Sequence, residues 1–81
     1  MKCYSLISCS SDYFCIGIYT SLDNLYVALK AVVTEELKEW SKKEIKTWYE
    51  VKEVYLDNEP LECYEFSRYG KKIKINWDKV F

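Results

Sequence analysis

The residues that could do chemistry are few. Four cysteines, Cys3, Cys9, Cys15 and Cys63, could act as nucleophiles, metal ligands or disulfide partners, and two carboxylate pairs, Glu35 with Glu36 and Glu62 with Glu65, could share a proton. The chain has no histidine, so the commonest general base is missing. Glu35 and Glu36 are adjacent in a helical pattern and point apart, while Glu62 and Glu65 fall on opposite faces of an expected strand. Neither pair forms a dyad, and catalysis is not expected. The cysteines are six apart or remote, without the close C-x-x-C ligand pairs that structural zinc uses. Lacking both a secretory signal and a turn-rich framework, they read as reduced thiols filling small apolar sites in a cytoplasmic protein. The two glycines, Gly17 and Gly70, are isolated, so no phosphate-cradling loop is present, and no metal or cofactor is expected.

Elements that could position a binding surface are clearer. Residues 21–43 carry apolar side chains at Leu22, Leu25, Tyr26, Leu29, Val32, Val33, Leu37 and Trp40, the three-and-four stepping of an amphipathic helix. Thr20 and Ser21 offer a capping hydroxyl, Asp23 suits the positive N-terminal end, and Lys42 and Lys43 suit the other. A helix of that length would span roughly 33 Å.

Around it the chain alternates as strands. Residues 2–8 place Tyr4 and Leu6 on one face and Cys3, Ser5 and Ile7 on the other. A polar turn at residues 9–12 leads into 13–19, where Phe14, Ile16 and Ile18 oppose Tyr13, Cys15, Gly17 and Tyr19. Gly17 inside this strand marks a bulge or a close approach, most simply by the crossing helix. Residues 47–56 show an ambiguous face, with Tyr49, Val51 and Tyr55 on one parity and Trp48, Val54 and Leu56 on the other, as a bulge or two-sided burial would produce. A turn at 57–60, a strand at 61–67, a turn around Gly70 and a last strand at 72–77 complete the order ββαβββ. The expected fold is a single α+β domain over residues 1–81, one antiparallel sheet with the helix across one face.

Eighty-one residues build one modest core, and 49% apolar content excludes disorder. Eight tyrosines, three tryptophans and three phenylalanines exceed what that core can enclose, which leaves aromatics outside as contact surface. Net charge is −1, so bulk charge favours neither nucleic acid nor membrane, and no segment is long and apolar enough to span a bilayer. The charges are segregated, however. Glu50, Glu53, Asp57, Glu59, Glu62 and Glu65 face the single base Lys52, whereas Arg68, Lys71, Lys72, Lys74 and Lys79 face the single acid Asp78. Opposite charges on neighbouring strands are one reading of this. The other is a recognition surface. Carboxylates along a strand can imitate a phosphate backbone and occupy a basic groove on a partner, with Trp48, Tyr49, Tyr55 and Tyr64 as anchors beside Glu50, Glu53, Asp57, Glu62 and Glu65.

A compact ββαβββ chain rich in Lys, Glu, Ile and Tyr resembles the small proteins that bacteriophages encode to disable host machinery, anti-CRISPR and other anti-defence inhibitors among them. The run Ile16-Gly17-Ile18-Tyr19-Thr20-Ser21, a strand passing straight into a capped helix, is similar to one in small phage and bacterial open reading frames. The resemblance implies inhibition by binding a host protein complex in the host cytoplasm. The expectation is therefore a non-catalytic protein-binding module, possible also as a homodimer. The alternatives are a small-ligand or nucleotide-sequestering homo-oligomer, and a weak single-stranded nucleic-acid binder whose last hairpin interleaves Arg68, Tyr69, Lys71, Lys72 and Lys74 with Trp77.

Overall fold

The computed structural model describes residues 2–9, 13–55 and 70–81. Four strands, β1 (Lys2–Ser8), β2 (Phe14–Tyr19), β3 (Tyr49–Tyr55) and β4 (Lys71–Ile73), form one antiparallel sheet in the order β2-β1-β3-β4. Helix α1 (Leu22–Glu36) packs against β1 and β2, followed by a short α2 (Lys42–Ile45) and a closing 3-10 turn at Trp77–Lys79. The fold is α+β, one sheet with the helix across one face. The strand and turn expected at 57–67 lie outside the described residues.

The apolar stripe explains how α1 docks. Leu25, Leu29 and Val33 are fully buried and join Leu6, Ile45, Tyr49, Val51, Ile75 and Val80 in one cluster, with Leu22, Tyr26 and Val32 packed around it. Each such aliphatic side chain contributes about 1.5–3 kcal/mol by leaving water. Ser21 starts the helix, its hydroxyl accepting from the Asn24 N–H at 3.2 Å.

The helix stops earlier than its periodicity suggests. Instead of running to Lys43 it ends at Glu36, so it spans 15 residues, roughly 22 Å. The reason lies in Ser41, whose hydroxyl accepts from the Glu44 N–H at 3.3 Å and lies 3.2 Å from the Glu44 carboxylate, capping a new helix. The Ser41-x-x-Glu44 spacing is a capping box, and it wins over continuation of the stripe. Leu37 and Trp40 are thereby turned out toward solvent.

Central strand β1 is buried on both sides. Tyr4 and Leu6 meet the helix layer, while Cys3, Ser5 and Ile7 are buried on the opposite face together with Val54 of β3. Two-sided burial also resolves the ambiguous parity of β3, since Tyr49 and Val51 serve the helix side and Val54 the other. The β1–β2 register slips between Leu6 and Ile7, which face Gly17 and Cys15, leaving Ile16 as a bulge. What crowds Gly17 is the ring of Tyr19 rather than the helix: a Cβ there would stand 2.7 Å from the Tyr19 hydroxyl oxygen.

The last strand is shorter than the expected 72–77. Pairing with β3 ends at Val51–Ile73, after which the chain turns inward to bury Ile75 and Val80. Asn76 redirects it, its side-chain oxygen accepting from the Asp78 N–H at 3.2 Å to cap the 3-10 turn.

Candidate functional site

The β3–β4 pair carries most of the described residues that the sequence nominates for binding. Glu50 sits at the centre of a polar cluster on the face opposite α1. Its Oε2 accepts from the Tyr13 hydroxyl at 2.6 Å and its Oε1 lies 3.2 Å from the Lys72 ammonium. The hydrogen bond from Tyr13, followed by Lys72 and Lys52, holds its carboxyl below the usual carboxylate range. Lys52 stands 5.3 Å above the Tyr13 ring. On the helix side of the sheet, Glu53 pairs with Lys2 at 3.3 Å and lies opposite Lys71 in the register. The acidic and basic blocks thus meet on neighbouring strands, and Glu50 and Glu53 are balanced within the chain.

The aromatic candidates divide. Tyr49 is only 8% exposed; its hydroxyl donates to Glu36, so it serves the core and is not a surface anchor. Trp48 is half-buried and meets Trp40 edge to face, ring centroids 5.3 Å apart at 76°. Trp40 itself is 48% exposed and neighbours exposed Leu37. At the other end of β3, Tyr55 is 69% exposed with the Lys2 ammonium 5.8 Å from its ring. Asp57, Glu62, Tyr64, Glu65, Arg68 and Tyr69 lie outside the described residues. Lys71, Lys72 and Lys74 are exposed along β4 and the segment after it.

Three contributors are not nominated from the sequence. Tyr13 reaches Glu50 only because Phe14 and Tyr49 both lie opposite Ser8, which brings β2 and β3 to either side of the same β1 residue. Trp40 becomes a surface group only because α1 breaks; the Ser41-x-x-Glu44 box was the available clue. Lys46 stands 5.8 Å from the Phe81 ring, which stacks on Trp77 at 5.2 Å and 14°.

Burial, and then the negative charge of Glu50, push the Cys9 thiol above its ordinary value, the opposite of what an activated nucleophile needs. Among the described residues no group of three His, Cys, Asp or Glu side chains is placed to hold a metal ion, and no helix is long and apolar enough to cross a membrane. Fold and surface together define a small α+β protein with exposed aromatic side chains, Trp40 beside Trp48 and Tyr55, near the two ends of one strand. Comparison of the chain with protein-family models, with curated proteins and with solved structures finds no match.

Proposed function

We propose that the chain is a non-catalytic protein-binding module, an inhibitor of the phage anti-defence type that blocks a host protein through the acidic, aromatic stretch from Trp48 to Glu65. The observation that carries this reading is the outward aromatic group at each end of β3, the Trp40–Trp48 pair and Tyr55. Tyr55 lies seven residue steps along the extended chain from Trp48, roughly 23 Å. That spacing fits within a standard protein interface of about 800 Å² per partner, where buried aromatics supply most of the affinity.

Charge would then act as the selector. Glu50 and Glu53 already have partners inside the chain, and the other carboxylates nominated for a basic groove, Asp57, Glu62 and Glu65, lie outside the described residues. Complementary charge of this kind speeds encounter and excludes wrong partners more than it adds affinity.

The test is capture of a defined host complex by the immobilised chain, followed by calorimetry with the purified partner. Trp40→Ala and Tyr55→Ala should each weaken binding by more than about 1 kcal/mol. Charge reversal at Asp57, Glu62 and Glu65 together should slow association and remove its salt dependence. A partner bound equally well by all of these variants would eliminate this surface.

A further inference from the structure

Where β3 and β4 part company the structure holds a cleft of about 220 Å³. Its origin is the end of the ladder at Ile73. One step further on, the chain is drawn toward α1, with the Asn76 N–H donating to the Tyr26 hydroxyl oxygen at 2.9 Å, so the start of β3, paired with β1 on one side, has no β4 partner on the other. The gap between the diverging chains is walled by Tyr49, Ile73, Ile75 and Trp77. Three lysines, Lys46, Lys72 and Lys74, also line it, against the one acid Glu50.

The charge balance of that lining is uneven. Both oxygens of Glu50 are engaged, one by Tyr13 and the other by Lys72. Lys46 and Lys74 form no ion pair among the described residues. Two lysines without a carboxylate partner among the described residues therefore line an apolar, aromatic hollow. The indole of Trp77 is braced by its stack on Phe81, and Lys42 and Lys46 stand 5.4 and 5.8 Å from that same Phe81 ring. A second hollow of about 420 Å³ shares Lys74, Ile75 and Trp77 with the first and extends past Asn76 and Asp78. Ligand pockets commonly measure about 300–1,000 Å³, so the first hollow is sized for one part of a ligand and the second can take the rest.

We infer that this cleft binds a phosphate monoester carried on a flat ring, a ligand of the mononucleotide class. The phosphate lies between Lys46 and Lys74, where two point charges match a dianion, and the ring lies against Trp77. Glu50 lines only the first hollow and Asp78 only the second, and the negative charge of each disfavours a phosphate placed beside it. This site is separate from the aromatic groups proposed for protein contact.

Adenosine 5′-monophosphate, adenosine and inorganic phosphate, each titrated into isotope-labelled protein and followed by NMR, test the inference. The expected result is saturable shifts at Lys74, Ile75 and the Trp77 indole, with the monophosphate binding more tightly than either fragment. The exposed double substitution Lys46→Gln with Lys74→Gln should keep the folded spectrum and weaken the monophosphate by about tenfold or more. Trp77→Leu should weaken adenosine while sparing inorganic phosphate. Unchanged affinity in the double variant, absence of saturable shifts, or shifts confined to other surfaces would overturn it. So would a single-stranded oligonucleotide without terminal phosphates that outcompetes the monophosphate at the same residues, since that result assigns the cleft to a nucleic-acid strand.

Discussion

The Tyr49 hydroxyl donates a hydrogen bond to Oε1 of Glu36, tying the first residue of β3 to the last residue of α1. The other carboxylate oxygen of Glu36 is buried and has no hydrogen-bond partner among the described residues. The one phenol therefore carries the polar satisfaction of this corner. Tyr49→Phe should cost about 1–3 kcal/mol, and adding Glu36→Leu should recover much of it, because removing both partners leaves nothing unpaired. Urea unfolding of both single variants and the double variant measures the coupling. A Tyr49→Phe chain as stable as the parent would show that the bond contributes nothing.

The same residue predicts sensitivity to base. Burial foremost, and then the bond to Glu36 and its charge, push the Tyr49 phenol above its ordinary value of 10.0. The folded chain thus favours the protonated phenol, and the stability this contributes is complete below pH 10 and lost as pH climbs toward the folded-state value. Thermal melts on either side of pH 10 should show the parent losing stability more steeply than Tyr49→Phe. Parallel curves would mean that the phenol titrates alike folded and unfolded.

Acid acts through Glu50. Its carboxyl is held below the ordinary 4.5, chiefly by the Tyr13 hydroxyl, so its contribution is present above that pH and fades as pH falls through the lower folded value. Tyr13→Phe should move the Glu50 titration midpoint upward, read from its side-chain carboxyl carbon by NMR. An unmoved midpoint would assign the depression to the lysines instead.

Among the described residues Gly70 is the one position where the backbone demands glycine, with φ at +103°. A Cβ there would stand 2.7 Å from the carbonyl oxygen of Glu53 and 2.6 Å from a Val54 methyl. A backbone carbonyl within a strand cannot step aside. Gly70→Ala should therefore destabilise by about 1–3 kcal/mol and loosen β4 first, seen as faster amide exchange at residues 71–73 than in β1. Exchange unchanged in β4 would refute this.

Leu29 lies at the centre of the helix stripe with no exposure. Leu29→Ala should cost about 2–5 kcal/mol, enough to threaten a domain of this size, and denaturant midpoints report it directly. Exposed Val27, on the outer face of the same helix, is the control and should tolerate alanine within about 0.5 kcal/mol.

The amphipathic stripe, the Ser21 cap, the strand alternation around Tyr4 and Leu6 and the special role of Gly70 were all legible along the chain. Each depends on neighbours within four residues, which is the range over which helix faces, pleats and turns are written. The break after Glu36 was also written there, in Ser41-x-x-Glu44, but the longer hydrophobic repeat masked it. The short β4 illustrates a different limit. Lys72 to Trp77 alternates well enough for a strand, yet Ile75 gains more from the helix-side core than from another ladder pair, and Asn76 caps the turn that takes it there.

Composition and local pattern alone determined that this protein is one α+β sheet with a helix on it, rich in aromatics and segregated in charge. Only the tertiary structure decided which of those groups meet. Tyr49 became a core residue, Trp40 a surface one, Glu50 the shared partner of Tyr13 and Lys72, and Lys46 and Lys74 part of the lining of a cleft. Those outcomes depend on strand order and register, set by contacts between residues far apart in the chain, and spacing along a single segment carries no record of them.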